Sequence, residues 1–542
     1  MLITELLKQN ADQYPKETAL VAVESEGLLP EDPLGYTARR SSITWEGFNQ
    51  MSNQIAQYYL SLGIGKGSHV GLLMRNCLEW LPIYFGILKS GAVVVPLNFR
   101  YDVNELAWNI AFADLDALVF DQHCVSTVSA CSEQFTNLRS LLFSGKDELC
   151  PSFAHTLHSV WKTAKKEDPE ISLYAEEDAA IYFSSGTTGI PKAVVYTHAT
   201  LEAACLLEQS NHRQTHEDCF LCIPPLYHVG AKLHWMGNLL VGAKGVLLLG
   251  FTVTAFFETL SRESVSIAFL LLPWAQDILV SVANGSLRPD QYQLNAWRML
   301  HMGAQPIPPS VVRRLHSTFP KVALEISYGL TEAGGPGCLN LSSAETARPG
   351  SVGIPGSGWE AMLINENGDR VPPGALGELL VRGPHMMRCY YKDPQATGKA
   401  LEDGWLHTGD IARQDEEGFY YIVDRKKELI ITGGEKIYPD QVENYLRNCP
   451  DIKDAAVFGL HHCRLGEVAV ALIELVPGTV HTEEELLGFC QGLPRYKRPV
   501  RIFFGTVPRN PTGKIEKNLL RKWYANAMNS VSPASNGCIT VS

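Results

Sequence analysis

A glycine-rich segment in the first half of the chain places the tightest limit on its fold. The segment from Tyr182 to His198 reads YFSSGTTGIPKAVVYTH, so a run of hydroxyl and glycine residues separates two apolar stretches. Glycine has no Cβ, so the backbone can turn tightly and bring its N–H groups against an anion, while hydroxyls add donors and lysine adds a charge suited to phosphate. The apolar flanks are typical of strands. The sequence therefore predicts a phosphate-binding loop between two strands, formed by Ser184, Ser185, Gly186, Thr187, Thr188, Gly189 and Lys192.

The segment differs from the common P-loop, which needs a glycine, four residues and then Gly-Lys-Ser/Thr before a helix. Here Pro191 occupies the place of the second glycine, Ala193 follows the lysine, and a strand is predicted next. A polar hairpin turn without a ligand is the alternative interpretation, and for a short Gly/Ser/Thr turn alone it would be favoured.

Length and composition narrow the class of protein. At 542 residues the chain is too long for one compact core, and 45% hydrophobic with 19% charged residues is ordinary for a soluble globular protein. The net charge of −12 argues against a general nucleic-acid binder. No run of about 18 apolar residues occurs, so no membrane span is predicted. The thirteen cysteines are scattered, which favours reduced thiols in the cytoplasm, with Cys219 and Cys222 as buried core thiols rather than a redox or metal pair.

The pattern of apolar residues predicts an α/β fold in two unequal parts. From Ser68 to Asn109, strand-like and helix-like runs alternate, which indicates βαβ units and parallel sheet. After Pro349, glycine, proline and short alternating runs indicate antiparallel strands in a barrel-like unit. The predicted bounds are 1–424 for a large amino-terminal region, 425–525 for a small α+β domain and 526–542 for a disordered tail.

Charge is distributed unevenly between these parts. Residues 425–525 contain sixteen Lys/Arg and twelve Asp/Glu, so this segment carries about +4 and the remainder about −16. A basic segment on an acidic protein favours a part that meets a polyanion, although a basic solvated face is the alternative.

Further strings follow the glycine-rich segment in a fixed order, and together they resemble the signature of the adenylate-forming enzymes. This superfamily includes acyl-CoA synthetases, beetle luciferases and peptide-synthetase adenylation domains. The resemblance runs from about residue 40 to residue 523, and it implies α/β subdomains with a distorted β-barrel followed by a mobile α+β lid. The strings begin at Pro224, Gly303, Tyr328, Trp405, Asp424, Gly433 and Asn510.

The string from Tyr328 to Glu332 has a chemistry that suits a nucleotide. An aromatic ring can stack on adenine, Gly329 lets the backbone approach closely, Thr331 can donate to a phosphate, and Glu332 is a hard oxygen ligand for Mg²⁺. A surface turn is the alternative interpretation. The resemblance implies that Thr188 lies at the same Mg²⁺ site.

The resemblance implies further contacts to the nucleotide. Gly303, Ala304 and Gln305 match a turn whose backbone lies against adenine. Asp410 matches the carboxylate that accepts hydrogen bonds from two ribose hydroxyls, and Arg425 matches a second ribose contact.

The resemblance also implies which residues move and which act on the acid. Lys427 matches the hinge of the lid, and Gly433 with Gly434 matches a loop that lines the pantetheine tunnel after the hinge rotates. His228 matches a histidine between the carboxylate site and the phosphates. Lys514 matches the catalytic lysine that bridges the substrate carboxylate and the α-phosphate.

The implied activity is ATP-dependent activation of a carboxylic acid to an acyl-adenylate, followed by transfer to a thiol. Coenzyme A is the favoured thiol, because the basic lid suits its phosphates. A carrier-protein thiol, an amine acceptor, oxidation as in luciferases, and a non-catalytic nucleotide-binding regulator are the alternatives. The implied cofactors and co-substrates are ATP, Mg²⁺ and coenzyme A, and the protein is expected to be a monomer or homodimer.

The acyl pocket implied by the resemblance is lined by the helix after His228 and by the glycines after Glu332. Bulky residues on the helix and small ones on the opposite wall predict a medium-length or cyclic, mostly apolar acid. Lys232 and His234 are predicted to face solvent on the far side of the helix; if either faces inward, a second carboxylate or a hydroxyl on the substrate is the alternative. The predicted pocket residues are Val229, Lys232, Trp235, Met236, Gly334 and Gly335.

Overall fold

The structure is a computed structural model that describes residues 1–24, 39–135, 137–184, 192–342, 348–425, 428–432, 435–462, 464–510 and 513–525, and for Arg39, Pro336 and Arg425 it describes the backbone alone. Helices cover the amphipathic segments, and several begin at a capping side chain. Thr44 accepts from the Gly47 amide, and Asp102 and Glu105 form a capping box. The helices are α1 (Ile3–Gln13), α2 (Trp45–Ser61), α3 (Trp80–Lys89), α4 (Val103–Phe112), α5 (Val125–Cys131), α6 (Leu157–Thr163), α7 (His198–His212), α8 (Leu233–Val241), α9 (Val253–Arg262), α10 (Leu272–Ala283), α11 (Pro309–Thr318), α12 (Pro394–Ala400), α13 (Pro439–Leu446), α14 (Glu483–Phe489) and α15 (Lys517–Tyr524).

The strands follow the short aliphatic runs, which is where β-branched side chains pack well on a pleated surface. They are β1 (Thr18–Glu24), β2 (Arg39–Thr44), β3 (His69–Leu73), β4 (Val93–Pro96), β5 (Ala117–Asp121), β6 (Ser140–Ser144), β7 (His155–Thr156), β8 (Asp178–Ser184), β9 (Lys192–Thr197), β10 (Cys219–Cys222), β11 (Lys244–Leu249), β12 (Ile267–Leu270), β13 (Met299–Met302), β14 (Ala323–Leu330), β15 (Gly335–Ser342), β16 (Ile354–Pro355), β17 (Glu360–Ile364), β18 (Leu376–Arg382), β19 (Cys389–Tyr390), β20 (Leu401–Glu402), β21 (Trp405–Gln414), β22 (Tyr420–Arg425), β23 (Ile430–Thr432), β24 (Glu435–Ile437), β25 (Ile452–His462), β26 (Gly466–Leu475) and β27 (Ile502–Phe504).

Two large mixed sheets form the body of the amino-terminal region. The first has the order β16-β15-β14-β13-β12-β10-β11-β1-β2, and the second has the order β19-β9-β8-β4-β3-β5-β6-β7. Strands β10 to β14 pair in parallel, as do β3, β4, β5 and β8, which confirms the predicted α/β fold. Parallel strands place their carboxyl ends on one edge, where binding sites of such sheets form.

Two smaller, mostly antiparallel sheets follow. The first has the order β17-β18-β21-β20 with β22 on β21, which is the antiparallel unit that the sequence predicts after Pro349. The last sheet has the order β24-β23-β26-β25 with β27 on β26, and it packs with the carboxy-terminal helices. The chain changes sheet between Arg425 and Ile430, which surrounds the predicted boundary.

The core confirms one smaller expectation from the sequence. Cys219 and Cys222 are buried free thiols. Among the described residues, no helix is both long and apolar enough to cross a membrane. The cores of the two large sheets are continuous with each other around α2, α3 and α8, so the helix that follows His228 lies deep inside the protein.

Candidate active site

The two ends of the predicted phosphate loop meet the string that follows β14. Ser184 closes β8, and its Oγ donates to Glu332 Oε1 over 3.3 Å. Lys192 opens β9, and its Nζ lies 4.2 Å from the centre of the Tyr390 ring, whose hydroxyl donates to the same Glu332 oxygen over 2.9 Å. Thr331 is held beside them by a hydrogen bond from Tyr196 to its carbonyl. The other predicted loop residues lie outside the described part of the chain: Ser185, Gly186, Thr187, Thr188 and Gly189.

The predicted ribose and adenine residues also meet. The Tyr328 hydroxyl donates to Asp410 Oδ2 over 2.5 Å, and Asp410 is 4% exposed. Gly329, which follows Tyr328, is exposed. Asp410 is paired with Arg425 in the antiparallel ladder of β21 and β22, although the Arg425 side chain is not described.

The predicted hinge and tunnel residues lie outside the described part of the chain: Lys427, Gly433 and Gly434.

The turn after β13 combines close packing with an unusual backbone. Ala304 has φ +67, a left-handed conformation that costs energy for a residue with a Cβ and is concentrated at functional sites. A Cβ placed on Gly303 would lie 3.0 Å from Ser327 Oγ, so the glycine permits close packing of this turn on β14. Gln305 contacts the carboxy-terminal segment through Arg509, whose guanidinium donates to Gln305 Oε1.

The carboxy-terminal turn brings Lys514 to this site. Gly513 has φ +81, and a Cβ there would lie 3.3 Å from the Gln305 side chain, so the turn packs closely on the one after β13. The Lys514 amide donates to Asn510 Oδ1 over 2.9 Å, which fixes the tip of the turn. Burial, together with the nearby charges of Lys232, Lys514 and Arg100, lowers the pKa of His228 to about 3. The His228 imidazole is therefore neutral at physiological pH.

Lys232 corrects one prediction from the sequence, because it is 2% exposed and does not face solvent. Its Nζ donates to the carbonyls of Leu226 and His228 and lies 4.8 Å from the centre of the Tyr182 ring. Burial lowers the pKa of Lys232 to about 7. The prediction fails because α8 is buried from Leu233 to Leu239 and presents no solvent-exposed side.

The prediction that His234 faces solvent is also wrong, because this side chain is 1% exposed. Its Nε2 forms a hydrogen bond of 2.7 Å with His301 Nδ1. It belongs to a group of five buried side chains that we call the His/Glu cluster. The sequence analysis missed this cluster, for which the signal was polar residues within apolar segments at His234, His301 and Glu325. Its members are Glu208, His212, His234, His301 and Glu325.

The predicted acyl pocket is only partly as expected. Val229, Lys232, Met236 and Gly334 line one narrow cavity with aromatic residues of β8 and β9. Trp235 turns away from it, because its ring packs against Phe85 at 5.5 Å and against Phe48 at 6.1 Å. The predicted open wall is also wrong at two positions. A Cβ on Gly334 would lie 1.9 Å from the His385 carbonyl, and one on Gly335 would lie 3.2 Å from Leu233, so these glycines permit close packing.

Comparison with known proteins agrees with this geometry. The sequence profile described as AMP-binding enzyme matches residues 7–391, and that of the AMP-binding enzyme C-terminal domain matches residues 441–514. A 2-succinylbenzoate–CoA ligase of Bacillus cereus is 30% identical over 499 residues, which cover 91% of this chain and 96% of that protein. The anthranilate CoA ligase AuaEII in complex with anthranoyl-AMP has the same fold, with a TM-score of 0.85 and 22% identity over 98% of both chains. The amide bond synthetase McbA from Marinactinospora thermotolerans has a TM-score of 0.81 and 25% identity, over 96% of this chain and all of that one.

The two family models match most of the large amino-terminal region and of the small carboxy-terminal domain, so the protein is an adenylate-forming enzyme. The chain belongs to the AMP-binding enzyme family and is an ATP-dependent, AMP-forming ligase.

Proposed function

We propose that the protein joins a carboxylic acid to AMP and then transfers the acyl group to coenzyme A. In the first step the carboxylate attacks the α-phosphorus of ATP, and pyrophosphate leaves. In the second step the thiol attacks the acyl-adenylate, and AMP leaves. The protein has to align two anions and offset the charge that develops between them.

The observation that carries this proposal is the docking of the Lys514 turn on the turn after β13. Arg509 and Gly513 both contact Gln305, and Lys514 is near enough to His228 to lower its pKa. A cation delivered by the carboxy-terminal domain thus reaches a surface built by the large domain. This arrangement supports a role for Lys514 between the carboxylate and the α-phosphate.

The remaining groups support complementary roles. A neutral His228 can orient the carboxylate without becoming protonated, because its pKa is lowered to about 3. Tyr328 and Asp410 form a hydrogen-bonded pair that suits adenine and ribose. The Glu332 carboxylate accepts hydrogen bonds from two hydroxyl groups. A carboxylate is a ligand type that suits Mg²⁺, and a bound Mg²⁺ would offset the charge of the phosphates there. Lys192, Thr331 and the residues 184–189 would hold the phosphates.

The acceptor is the part of the proposal with a second candidate. The basic segment 425–525 favours coenzyme A, which carries several phosphates. An amine is the second candidate for the acceptor, because the chain is also similar to an amide bond synthetase. The described cysteines are all free, which supports a cytoplasmic, reducing location for either reaction.

Two assays test the proposal in sequence. Exchange of labelled pyrophosphate into ATP that depends on an added carboxylic acid is the expected sign of the first step. Mass spectrometry after addition of coenzyme A, a carrier protein or an amine then identifies the acceptor. If nucleotide binds but no acid in a broad panel supports exchange, the protein is a nucleotide-binding regulator, and the proposal is wrong.

A further inference from the structure

Lys232 differs from the other buried lysines of the described chain in having no carboxylate beside it. The side chains of Lys89, Lys232 and Lys517 belong to residues that are at most 5% exposed. Lys89 Nζ lies 2.9 Å from an Asp168 oxygen, and Lys517 Nζ lies 2.9 Å from a Glu443 oxygen. Among the residues that the structure describes, no carboxylate interacts with Lys232. A buried ammonium group without a counter-charge is costly, so this lysine calls for an explanation.

The hydrogen bonds of Lys232 leave one possible donor unused. Its Nζ donates to the carbonyl of Leu226 and, over 2.8 Å, to the carbonyl of His228. Within the described part of the chain it has no further hydrogen-bond acceptor. An ammonium group has three N–H donors, whereas a neutral amine has two. The two carbonyls therefore satisfy the neutral amine, but they leave the ammonium form with one N–H that can bind a ligand.

The Lys232 side chain lines a narrow cavity beside the site. The cavity has a volume of about 10 Å³, which is room for one water-sized group. The Tyr182 ring, whose centre lies 4.8 Å from Nζ, belongs to its wall, as do Val229 and Gly334. Val229 directly follows His228, so the cavity adjoins the proposed carboxylate site. Among the described residues that line this cavity, Lys232 alone can carry a charge at neutral pH.

The charge of Lys232 is sensitive to what occupies the cavity. Burial lowers its pKa to about 7, because no carboxylate offsets the loss of hydration. An acceptor atom placed against Nζ favours the ammonium form and raises this pKa. The neighbouring groups keep their charge in this range. Burial lowers the pKa of His228 to about 3, raises that of Cys222 to about 12, and raises that of Tyr182 well above its ordinary value.

We infer that Lys232 donates a hydrogen bond to an oxygen atom of the bound acid, so that the enzyme selects carboxylic acids bearing a hydroxyl, carbonyl or second carboxylate group. The inference rests on the proposed function and adds the substrate class. It disfavours acids that place only hydrocarbon in the cavity, because a buried N–H then lacks an acceptor. It disfavours acids with an ammonium group there still more, because two cations would then share one buried site. The volume of the cavity suits a single oxygen atom of the selected group.

The first experiment compares acids that differ in one group. Benzoates substituted at each ring position, and short alkanoates substituted at each carbon, carry a methyl, hydroxyl, carboxylate or aminomethyl group. The readout is the specificity constant for acid-dependent pyrophosphate release. At the position that reaches the cavity, we expect the better oxygen-bearing acid to exceed the methyl acid by roughly 10- to 100-fold, the effect of one hydrogen bond to a charged group. The aminomethyl acid should be the poorest of the four.

Either oxygen-bearing acid can lead, and both results support the inference. A lead of the hydroxyl acid identifies an uncharged acceptor, and a lead of the carboxylate acid identifies an anionic one. If the methyl acid equals or exceeds the oxygen-bearing acids at every position, the inference is wrong while the proposed function stands. Absence of pyrophosphate release with every acid would remove the proposed function and the inference with it.

Lys232→Met tests whether this lysine makes the selection. Methionine keeps a long, unbranched side chain but has no N–H donor. Loss of the two bonds to carbonyls affects every acid, so the readout is the ratio of specificity constants for the oxygen-bearing and methyl acids, which should fall close to one. The matched control is Lys89→Met, because Lys89 is a buried lysine outside this cavity, and the ratio should stay unchanged. An unchanged ratio in Lys232→Met would overturn the inference.

Binding to the parent protein tests the inference without turnover and without a variant. Acyl sulfamates of adenosine, which resemble the acyl-adenylate but do not react, carry the methyl-bearing or the best oxygen-bearing acyl group. The oxygen-bearing analogue should bind roughly tenfold tighter or more. At about pH 8 it should also take up more protons than the methyl analogue, because Lys232 becomes protonated when its third N–H finds an acceptor. Calorimetry in buffers of different ionisation enthalpy measures both quantities, and equal affinity with equal proton uptake would overturn the inference.

Discussion

Arg509 contacts Gln305 with one guanidinium nitrogen while another lies 2.6 Å from Asp454 Oδ2. Asp454 belongs to β25 of the carboxy-terminal sheet, and Gln305 belongs to the turn after β13 of the large domain. One planar side chain therefore fixes the position of the Lys514 turn relative to both domains. A bidentate guanidinium suits this task because its donors lie in a rigid plane.

This contact predicts a defect confined to one half-reaction. Arg509→Ala and Gln305→Ala should each lower acyl-adenylate formation roughly tenfold, the effect of losing one charge-assisted hydrogen bond. The double variant should be little worse than Arg509→Ala, because both changes remove the same contact. Pyrophosphate release measures the first step, and transfer from synthetic acyl-adenylate measures the second. A fully additive double variant would show that Arg509 and Gln305 act independently.

Lys514 itself should matter more. Lys514→Ala is expected to lower acyl-adenylate formation by roughly 10²–10³-fold, the range for removal of one transition-state donor. It should hardly affect transfer from pre-formed acyl-adenylate. The control is Lys522→Ala, since Lys522 is an exposed lysine on α15 of the same domain. Equal losses in both half-reactions would contradict the assigned role.

Lys427, proposed as the hinge, predicts the opposite pattern. Lys427→Pro would fix φ at roughly −65° and prevent a large rotation of the lid. Acyl-adenylate should form at near the parent rate, whereas thioester formation should fail. Lys427→Ala removes the same side chain but leaves φ free, so it should retain both steps. Thioester formation by the proline variant at the parent rate would exclude a hinge at this residue.

The buried Lys232 predicts how stability depends on pH. The pKa of Lys232 is lowered by burial from 10.5 to about 7 in the folded protein. Between these values the unfolded chain holds the proton and the folded chain does not, so the stability of the folded state rises with pH. Relative to Lys232→Met, the parent should therefore gain up to ~1.4 kcal/mol of unfolding free energy per pH unit above pH 7. Thermal unfolding of both proteins from pH 7 to pH 10 measures this difference, and a constant difference would contradict it.

Gly334 predicts a steric effect that can be separated from backbone strain. Gly334 and Gly285 both have φ +76, but a Cβ on Gly334 would lie 1.9 Å from the His385 carbonyl, whereas one on Gly285 would meet nothing within 4 Å. Gly334→Ala should therefore lower the unfolding free energy by about 1–3 kcal/mol more than Gly285→Ala, as for other overpacked positions. Equal melting temperatures would show that His385 moves aside without cost.

The sequence predicted the fold class and the order of the motifs because both depend on local patterns. Aliphatic runs mark the strands, and the strings at Tyr328, Trp405 and Asn510 are contiguous in sequence. The acyl pocket depends instead on long-range packing, which the sequence does not display. Lys232 and His234 appeared to belong to an amphipathic helix, yet α1, α7 and the strands β10 and β11 pack against α8. Likewise Trp235 is bulky enough to shape a pocket, but the ring cluster of Phe48 and Phe85 decides where it points.

The His/Glu cluster shows the same limit most clearly. Its members come from α7, α8, β13 and β14, and two of them, Glu208 and His212, belong to the polar end of α7. No spacing rule joins Glu208 to Glu325, because 116 intervening residues form four strands and several helices between them. The five side chains meet because β13 pairs with β14 and α7 packs on α8.

The pairing of Asp410 with Arg425 has a consequence for the order of events in catalysis. Arg425 is the last residue of β22, so the ladder that carries Asp410 ends where the predicted lid begins. If the segment after Arg425 rotates as the sequence predicts, the rotation would leave the proposed ribose contacts in place. One bound nucleotide would then serve both reactions while the protein surface that faces it is exchanged.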